Sequence, residues 1–206
     1  MRAGRVALAA LAASLVSACA PRSGAPSVRP DAPDAVGLYR AAATETGGRT
    51  SRFRLWVHAA RPDRLHLEVL PPVGGTAFIL DAGGDAVAAS WVEDRVALTG
   101  PADAASMGRL IGIPIDARGW VSTILDGAGA DGVTIERRGE PGSLPVSLTL
   151  RREGLEVRLE RREVRRAAGE VGNGLPPAGF AVHPISAMEG PSLLDSLLAS
   201  PPEGER

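Results

Sequence analysis

The segment RLHLEVLPPVGGTAFILDAGGD, residues 64–85, contains two predicted strands joined by a stiff loop. In its first half, Leu65, Leu67 and Val69 alternate with polar residues, which is the period of two that a strand with one apolar face produces. Prolines cannot donate to a strand ladder and glycines accept unusual backbone angles, so the chain must turn at residues 71–75. A second β-rich run follows at residues 76–81, which leaves Val73 at the tip of the loop.

Further along, GPADAASMGRLIGIPIDARGWVSTILDG, residues 100–127, predicts two short amphipathic helices. Gly112 is placed to end the first helix, while Asp116 is placed to cap the start of the second and Gly127 to follow its end. The predicted apolar faces consist of Ala104, Met107, Leu110 and Ile111 in the first helix and of Trp120, Val121, Ile124 and Leu125 in the second.

Three of these motifs together resemble the LolB-like family of outer-membrane lipoprotein receptors, which has the lipoprotein-sorting fold shared by LolA and LolB. They are RLHLEVLPPVGGT (64–76), MGRLIGIPID (107–116) and GWVSTILDG (119–127). The resemblance covers residues 53–127 well and extends more loosely to about residue 182. It implies a mainly β (α+β) fold: an incomplete antiparallel β-barrel, or strongly curved sheet, with helices plugging its concave side.

The resemblance also implies a role for the proline- and glycine-rich loop. In LolB-like proteins the matching loop projects a leucine and is associated with delivering lipoproteins into the membrane. The corresponding residues here are Pro71, Pro72, Val73, Gly74 and Gly75, with the smaller Val73 at the position of the leucine. The alternative is a tight hairpin whose valine folds back onto the core, and the sequence leaves both interpretations open.

The beginning of the chain has the layout of a secretory signal peptide over residues 1–18, with two arginines followed by an apolar run from Val6 to Val16. That run is too short for a bilayer core, which needs about 20 residues. The only cysteine, Cys19, follows in LVSAC, which resembles the bacterial lipobox. We therefore expect a lipid anchor at Cys19 and, because Ala20 rather than Asp follows it, a location at the periplasmic face of the outer membrane.

The rest of the chain predicts one domain. Residues 19–33 are rich in Pro, Ser and Ala and predict a flexible tether, residues 34–200 a single LolA/LolB-like domain, and residues 201–206 a disordered tail. Within the domain, residues 33–46 predict a helix, and the remaining patterns predict seven to nine antiparallel strands. These include a hairpin of 86–92 with 95–98, a strand from 155 with a bulge or an end at Arg161–Arg162, and a last short strand at 180–183, followed by a terminal helix around Leu193–Leu198.

Composition and motifs exclude several functions. The sequence contains no lysine, so a P-loop and a Schiff-base lysine are excluded, and aromatic residues make up only 3%, too few for a nucleic-acid stacking platform.

The three histidines, His58, His66 and His183, stand singly on strands without ligand spacing, and we interpret them as exposed strand residues. No nucleophile with a nearby base is present, so we expect no enzymatic activity, no metal and no cofactor. The arginines of residues 151–166 alternate with glutamates, which favours a solvated strand face over an anionic-lipid contact.

The functional hypothesis is an apolar hollow beneath the two helices that accepts acyl chains of lipoproteins and helps to insert them into the outer membrane. Expected partners are those acyl chains, a periplasmic lipoprotein carrier and the membrane itself, with the protein acting as a monomer. The alternative is a scaffold lipoprotein that has the same fold, a filled core and a protein partner. The residues predicted to line the hollow are Leu65, Leu67, Val69, Phe78, Leu80, Met107, Leu110, Ile111, Trp120, Ile124, Val146, Leu148 and Leu150.

Overall fold

The computed structural model describes residues 29–70, 75–167 and 172–199 of the chain. The predicted signal peptide, Cys19, most of the tether, loop residues 71–74 and the tail at 201–206 lie outside the described residues. The expectations that concern them therefore remain predictions.

Ten strands form a single sheet within the described residues. The strands are β1 (Ala35–Glu45), β2 (Thr50–Ala60), β3 (Arg64–Leu70), β4 (Phe78–Gly83), β5 (Ala86–Trp91), β6 (Val96–Pro101), β7 (Thr134–Arg138), β8 (Ser147–Arg152), β9 (Leu155–Arg166) and β10 (Ala181–Pro184). Their order across the sheet is β10-β6-β5-β4-β3-β2-β1-β9-β8-β7. The sheet has two ends in this order and is not closed.

Three helices complete the fold of the described residues: α1 (Ala104–Ile111), α2 (Ala117–Asp126) and α3 (Leu193–Ala199), the last preceded by a 3-10 turn at Ile185–Ala187. They pack on the inner face of the sheet, where α2 contacts β2, β3 and β7 and α3 contacts β1, β2 and α1. None of the described helices has both the length and the apolar character needed to cross a bilayer. The expected mainly β (α+β) architecture with an unclosed sheet is confirmed.

Two details of the predicted sheet are wrong. The ten observed strands exceed the seven to nine expected, and β10 pairs with β6 in the parallel direction, so the sheet is mixed rather than wholly antiparallel. Two parallel neighbouring strands need a long connection between them. Here β10 follows β9 in the chain, and β9 lies on the other side of the sheet from β6, the parallel partner of β10. A short strand pattern carries no information on the direction of its partner.

The predicted helix at residues 33–46 is wrong, because this segment is strand β1. Its alanines favour a helix by intrinsic propensity, but tertiary pairing decides otherwise. The strand is hydrogen-bonded on both sides, to β2 and to β9, and Tyr39, Ala41 and Ala43 are buried at alternate positions while Arg40 is exposed. The first half of the domain therefore contains a strand where the sequence predicts a helix.

The bulge expected at Arg161–Arg162 is confirmed. Leu38 of β1 pairs with Glu163 of β9, and the next residue, Tyr39, pairs with Arg161, so Arg162 is the extra residue of the bulge. The strand then continues to Arg166, with its alternation shifted by one.

The outer face of the sheet is partly covered by the segment that follows β9. Its residues 172–174 pass over the ends of β3, β4 and β5, where the backbone N–H of Gly172 donates to Oδ1 of Asp81 at 2.8 Å. A Cβ on Gly83 would lie 2.2 Å from the carbonyl oxygen of Gly172, so only glycine fits there. We call residues 172–174 the outer strap.

The interpretation of the histidines as exposed residues is wrong for two of the three. His58 and His66 are buried, because chain segments cover this part of the outer face, and His58 lies within hydrogen-bonding distance of the carbonyl of Pro33, 2.9 Å from its Nε2. His183 on β10 is exposed, as expected. Alternation alone identifies the outer face but not what lies over it.

Candidate functional site on the inner face of the sheet

The two central helices of the inner face are positioned by their caps. Oδ1 of Asp103 accepts from the backbone N–H of Ser106 at 2.8 Å, and Oδ1 of Asp116 accepts from that of Gly119 at 2.6 Å. Gly112 and Gly127 follow the helices in the left-handed conformation, with φ of 98° and 73°. The helix ends predicted at Gly112, Asp116 and Gly127 are thus confirmed, and together they aim the apolar faces of α1 and α2 at the sheet.

Arg137 on β7 fastens the end of α2 to the neighbouring loop. Its guanidinium group donates to the carbonyl oxygens of Ile124, Gly139, Glu140 and Ser143, at distances of 2.6–2.8 Å. These carbonyls include one from the last turn of the helix, where a positive charge is favourable. The hydrogen bonds of Arg137 therefore hold the C-terminal end of α2 in its position over the hollow.

Between the sheet and the helices lies an apolar cavity of about 50 Å³. The described residues of its walls are aliphatic and aromatic, contributed by β2, β3, β8, β9, α2, α3 and the region around α1: Phe53, Leu55, Val57, Leu67, Val69, Ile111, Ile113, Trp120, Ile124, Leu148, Leu150, Val157, Leu159, Leu193 and Leu194. An engineered apolar cavity of about 150 Å³ binds one benzene molecule. In this conformation the free space is smaller than that, so an acyl chain would enter the hollow only after a rearrangement of its walls.

The predicted lining residues divide into three groups. Leu67, Val69, Ile111, Trp120, Ile124, Leu148 and Leu150 line the cavity. Leu65, Phe78, Leu80, Met107 and Leu110 belong to the same buried core but lie away from the cavity. Val146 is 49% exposed, so its assignment to the hollow is wrong. At that end of β8 the inner side is occupied by Arg137 and Arg161, which bind loop carbonyl groups.

The sequence analysis missed the other half of the wall. The inner residues of β2 and β9 showed clear alternation, but without β1 between them these strands could not be brought together on one face. The missed lining residues are Phe53, Leu55, Val57, Ile113, Val157, Leu159, Leu193 and Leu194.

Helix α3 is the shortest of the three described helices that pack over the hollow. It has seven residues, too few to be stable in isolation, so it depends on the packing of its leucines. At its start Ser192 and Asp195 cap each other: Oγ of Ser192 lies 2.7 Å from Oδ2 of Asp195 and accepts from the backbone N–H of Asp195 at 3.3 Å. Leu193 and Leu194 both face the cavity. Helix α3 therefore covers one side of the hollow mainly through the packing of its leucines.

One polar atom lies unpaired in the wall. Trp120 is 5% exposed, and its indole Nε1 has no hydrogen-bond partner among the described residues. A buried donor without a partner costs about 1–3 kcal/mol. Apart from this N–H, the side chains that surround the cavity offer only dispersion and hydrophobic contact to anything that enters it.

A separate polar cluster lies on the outer face. His66 is within 2.9 Å of both Asp81 Oδ1 and Glu68 Oε1. Burial alone would lower the pKa of His66, but the hydrogen bonds and charges of these two carboxylates outweigh it and raise the pKa to about 9. The hydrogen bond to His66 in turn lowers the pKa of Glu68. Since Asp81 also holds the outer strap through Gly172, the cluster has a structural role.

No group of three or more His, Cys, Asp or Glu side chains suited to a metal ion occurs in the described part of the chain. No protein-family model and no curated protein matches the chain.

Proposed function

We propose that this protein binds the acyl chains of lipoproteins on the inner face of its sheet and helps to insert them into the outer membrane, anchored there through a lipidated Cys19. The observation that carries the proposal is the wall of fifteen apolar side chains around a small residual cavity, closed on one side by a seven-residue helix.

The energetics fit hydrocarbon. Each buried methylene group contributes about 0.8 kcal/mol to the free energy of binding, and an acyl chain forms no hydrogen bonds. An apolar wall can therefore bind the chain without any contact with the headgroup. A cavity of about 50 Å³ is too small for such a chain. Binding therefore requires an open state, in which α3 leaves and the chain takes the place of Leu193 and Leu194. Transfer follows differences in affinity among the donor, this protein and the bilayer, and loop 71–75 makes the contact with the membrane.

A second candidate, a scaffold lipoprotein that binds a protein partner, is favoured by one observation. The hollow is nearly full, as expected for a domain whose core serves stability alone. This candidate predicts no bound lipid, whereas the acyl-binding proposal predicts lipid that can be extracted from the purified domain.

The test uses residues 29–206, which contain the whole described core. Displacement of a fluorescent fatty acid measures binding, and mass spectrometry identifies lipid extracted from the same preparation. A Leu55→Trp variant places a larger side chain in the wall and is expected to weaken binding at least tenfold, at a cost of about 1–3 kcal/mol in stability. Val182→Trp, at a position 51% exposed, is the matched control. Absence of binding at micromolar protein, with no extractable lipid, would contradict the proposal.

A further inference from the structure

Three arginines form a compact group on the outer face of the sheet: Arg40 on β1 and Arg52 and Arg54 on β2. All three are exposed. Arg40 lies directly opposite Arg54 in the strand register, and Arg52 lies opposite Ala42, one outer-face position further along. Directly opposite residues have Cβ atoms about 4.5–5.5 Å apart and diagonal ones about 7–8 Å. We call these three residues the basic patch.

Several arginines of β8 and β9, by contrast, have partners. Arg151 and Arg158 bind Glu156, Arg162 binds Glu160 at 3.1 Å, and Arg165 stacks over the ring of Trp56 at 3.8 Å. The mixed-charge strand predicted for residues 151–166 is therefore largely neutralised within itself.

Carboxylates near the basic patch are engaged elsewhere. Glu160 is the β9 residue opposite Arg40 but forms its ion pair with Arg162, and Glu45 at the end of β1 pairs with Arg49 at 2.5 Å. Among the described residues, no carboxylate lies within ion-pair distance of Arg40, Arg52 or Arg54. Like charges directly opposite each other destabilise a sheet. The basic patch therefore opposes folding slightly, and folding gives no reason for its presence.

The position of the basic patch indicates which kind of partner it binds. Arg54 is paired on its other side with Leu70, the last residue of β3, after which loop 71–75 begins. The patch thus lies beside the loop that the proposed function places against the membrane. The planar guanidinium group matches phosphate through paired hydrogen bonds. Since the formal net charge of the chain is −1, attraction to an anionic surface must be local to this patch rather than a property of the whole molecule.

We propose that Arg40, Arg52 and Arg54 bind the phosphate groups of an anionic bilayer surface and thereby hold the loop end of the sheet against the membrane. The orienting role rests on the proposed function, while the binding itself does not. A bilayer is favoured over an acidic protein because the patch adjoins the loop rather than any apolar docking surface that a protein partner would need.

The experiment measures co-sedimentation of residues 29–206 with vesicles of phosphatidylglycerol mixed with phosphatidylcholine, and with vesicles of phosphatidylcholine alone. We expect binding only to the anionic vesicles, weakening steeply as salt rises from 50 to 500 mM. Each arginine near an anionic surface contributes about a fivefold increase in partitioning, so Arg54→Gln is expected to lower it about fivefold and the triple Gln variant about a hundredfold.

Arg118→Gln is the matched control. It removes the same charge from an exposed site on α2 near the turns at Asp63 and Gly84–Asp85, at the other end of the sheet. It is expected to leave partitioning unchanged. Thermal unfolding checks the fold of every variant, and Arg54→Gln is expected to melt no lower than the original protein because it relieves a repulsion.

Equal loss of binding in Arg118→Gln and Arg54→Gln, retention of binding by the triple variant, or no preference for anionic vesicles would each overturn the proposal. Fatty-acid displacement by the triple variant is measured in parallel. Its retention, together with lost vesicle binding, separates the role of the patch from that of the hollow.

Discussion

A disulfide between α3 and the end of α1 tests whether the hollow opens by displacement of α3. An ideal Cβ at Gly112 lies 3.5 Å from Cβ of Ser192, which is within the range of about 3.5–4.5 Å that disulfides span. The double variant Gly112→Cys, Ser192→Cys, made in residues 29–206, contains no other cysteine. Oxidation would fix the start of α3 to α1 and keep Leu193 and Leu194 over the cavity.

The expected gain in stability follows from the length of the closed loop. The cross-linked positions are separated by 192 − 112 = 80 residues, for which the lost entropy of the unfolded chain corresponds to about 4–5 kcal/mol. Residue 112 has a φ of 98°, and a side chain in the left-handed region costs roughly 1–2 kcal/mol. Because both redox forms of the variant contain this strain, the oxidised form should be about 4–5 kcal/mol more stable than the reduced form, as measured by urea unfolding.

Binding is then compared in the two redox forms. We expect the oxidised variant to displace little or no fluorescent fatty acid, and the reduced variant to bind as the single Gly112→Cys protein does under the same conditions. The single variant also controls for the strain at residue 112. An oxidised form that gains the expected stability and still binds fatty acid normally would refute α3 as the gate.

Two further predictions concern named side chains. Because the pKa of His66 is about 9 in the folded protein and about 6.5 in the unfolded chain, its contribution is complete below pH 6.5 and is lost as pH rises through 9. This amounts to roughly 3 kcal/mol of unfolding free energy, to be measured by urea unfolding at pH 6 and pH 10; a His66→Gln variant with the same pH dependence would contradict it. Trp120→Phe removes the unpaired indole N–H together with part of the buried ring, two effects of opposite sign, so we expect unfolding free energy within about 1 kcal/mol of the original and retained fatty-acid binding; a loss above 3 kcal/mol would contradict this expectation.

The sequence predicted best where its local signals agreed with the final fold. Asp116, Gly112 and Gly127 set the limits of the helices through contacts within a few residues, and these limits are observed. The bulge at Arg162 was visible because the apolar residues of β9 change parity there. These are short-range features, and they need no knowledge of the rest of the chain.

Long-range features were predicted poorly. The alanines of β1 favour a helix locally, and only pairing with strands on both sides makes this segment a strand. Without β1, Arg40 could not be placed opposite Arg54, and the walls contributed by β2 and β9 could not be joined. The burial of His66 and the parallel pairing of β10 depend likewise on a segment that returns after β9.

The pairing of β1 with β9 sets the order in which the molecule can assemble. Ala35 is bonded in register to Arg166, a separation of 166 − 35 = 131 residues. During synthesis from the N-terminus, this edge of β1 therefore stays unpaired until residues 155–166 have been made, and contacts this distant in sequence form slowly. Until β9 pairs with it, the exposed edge is a template for joining other chains.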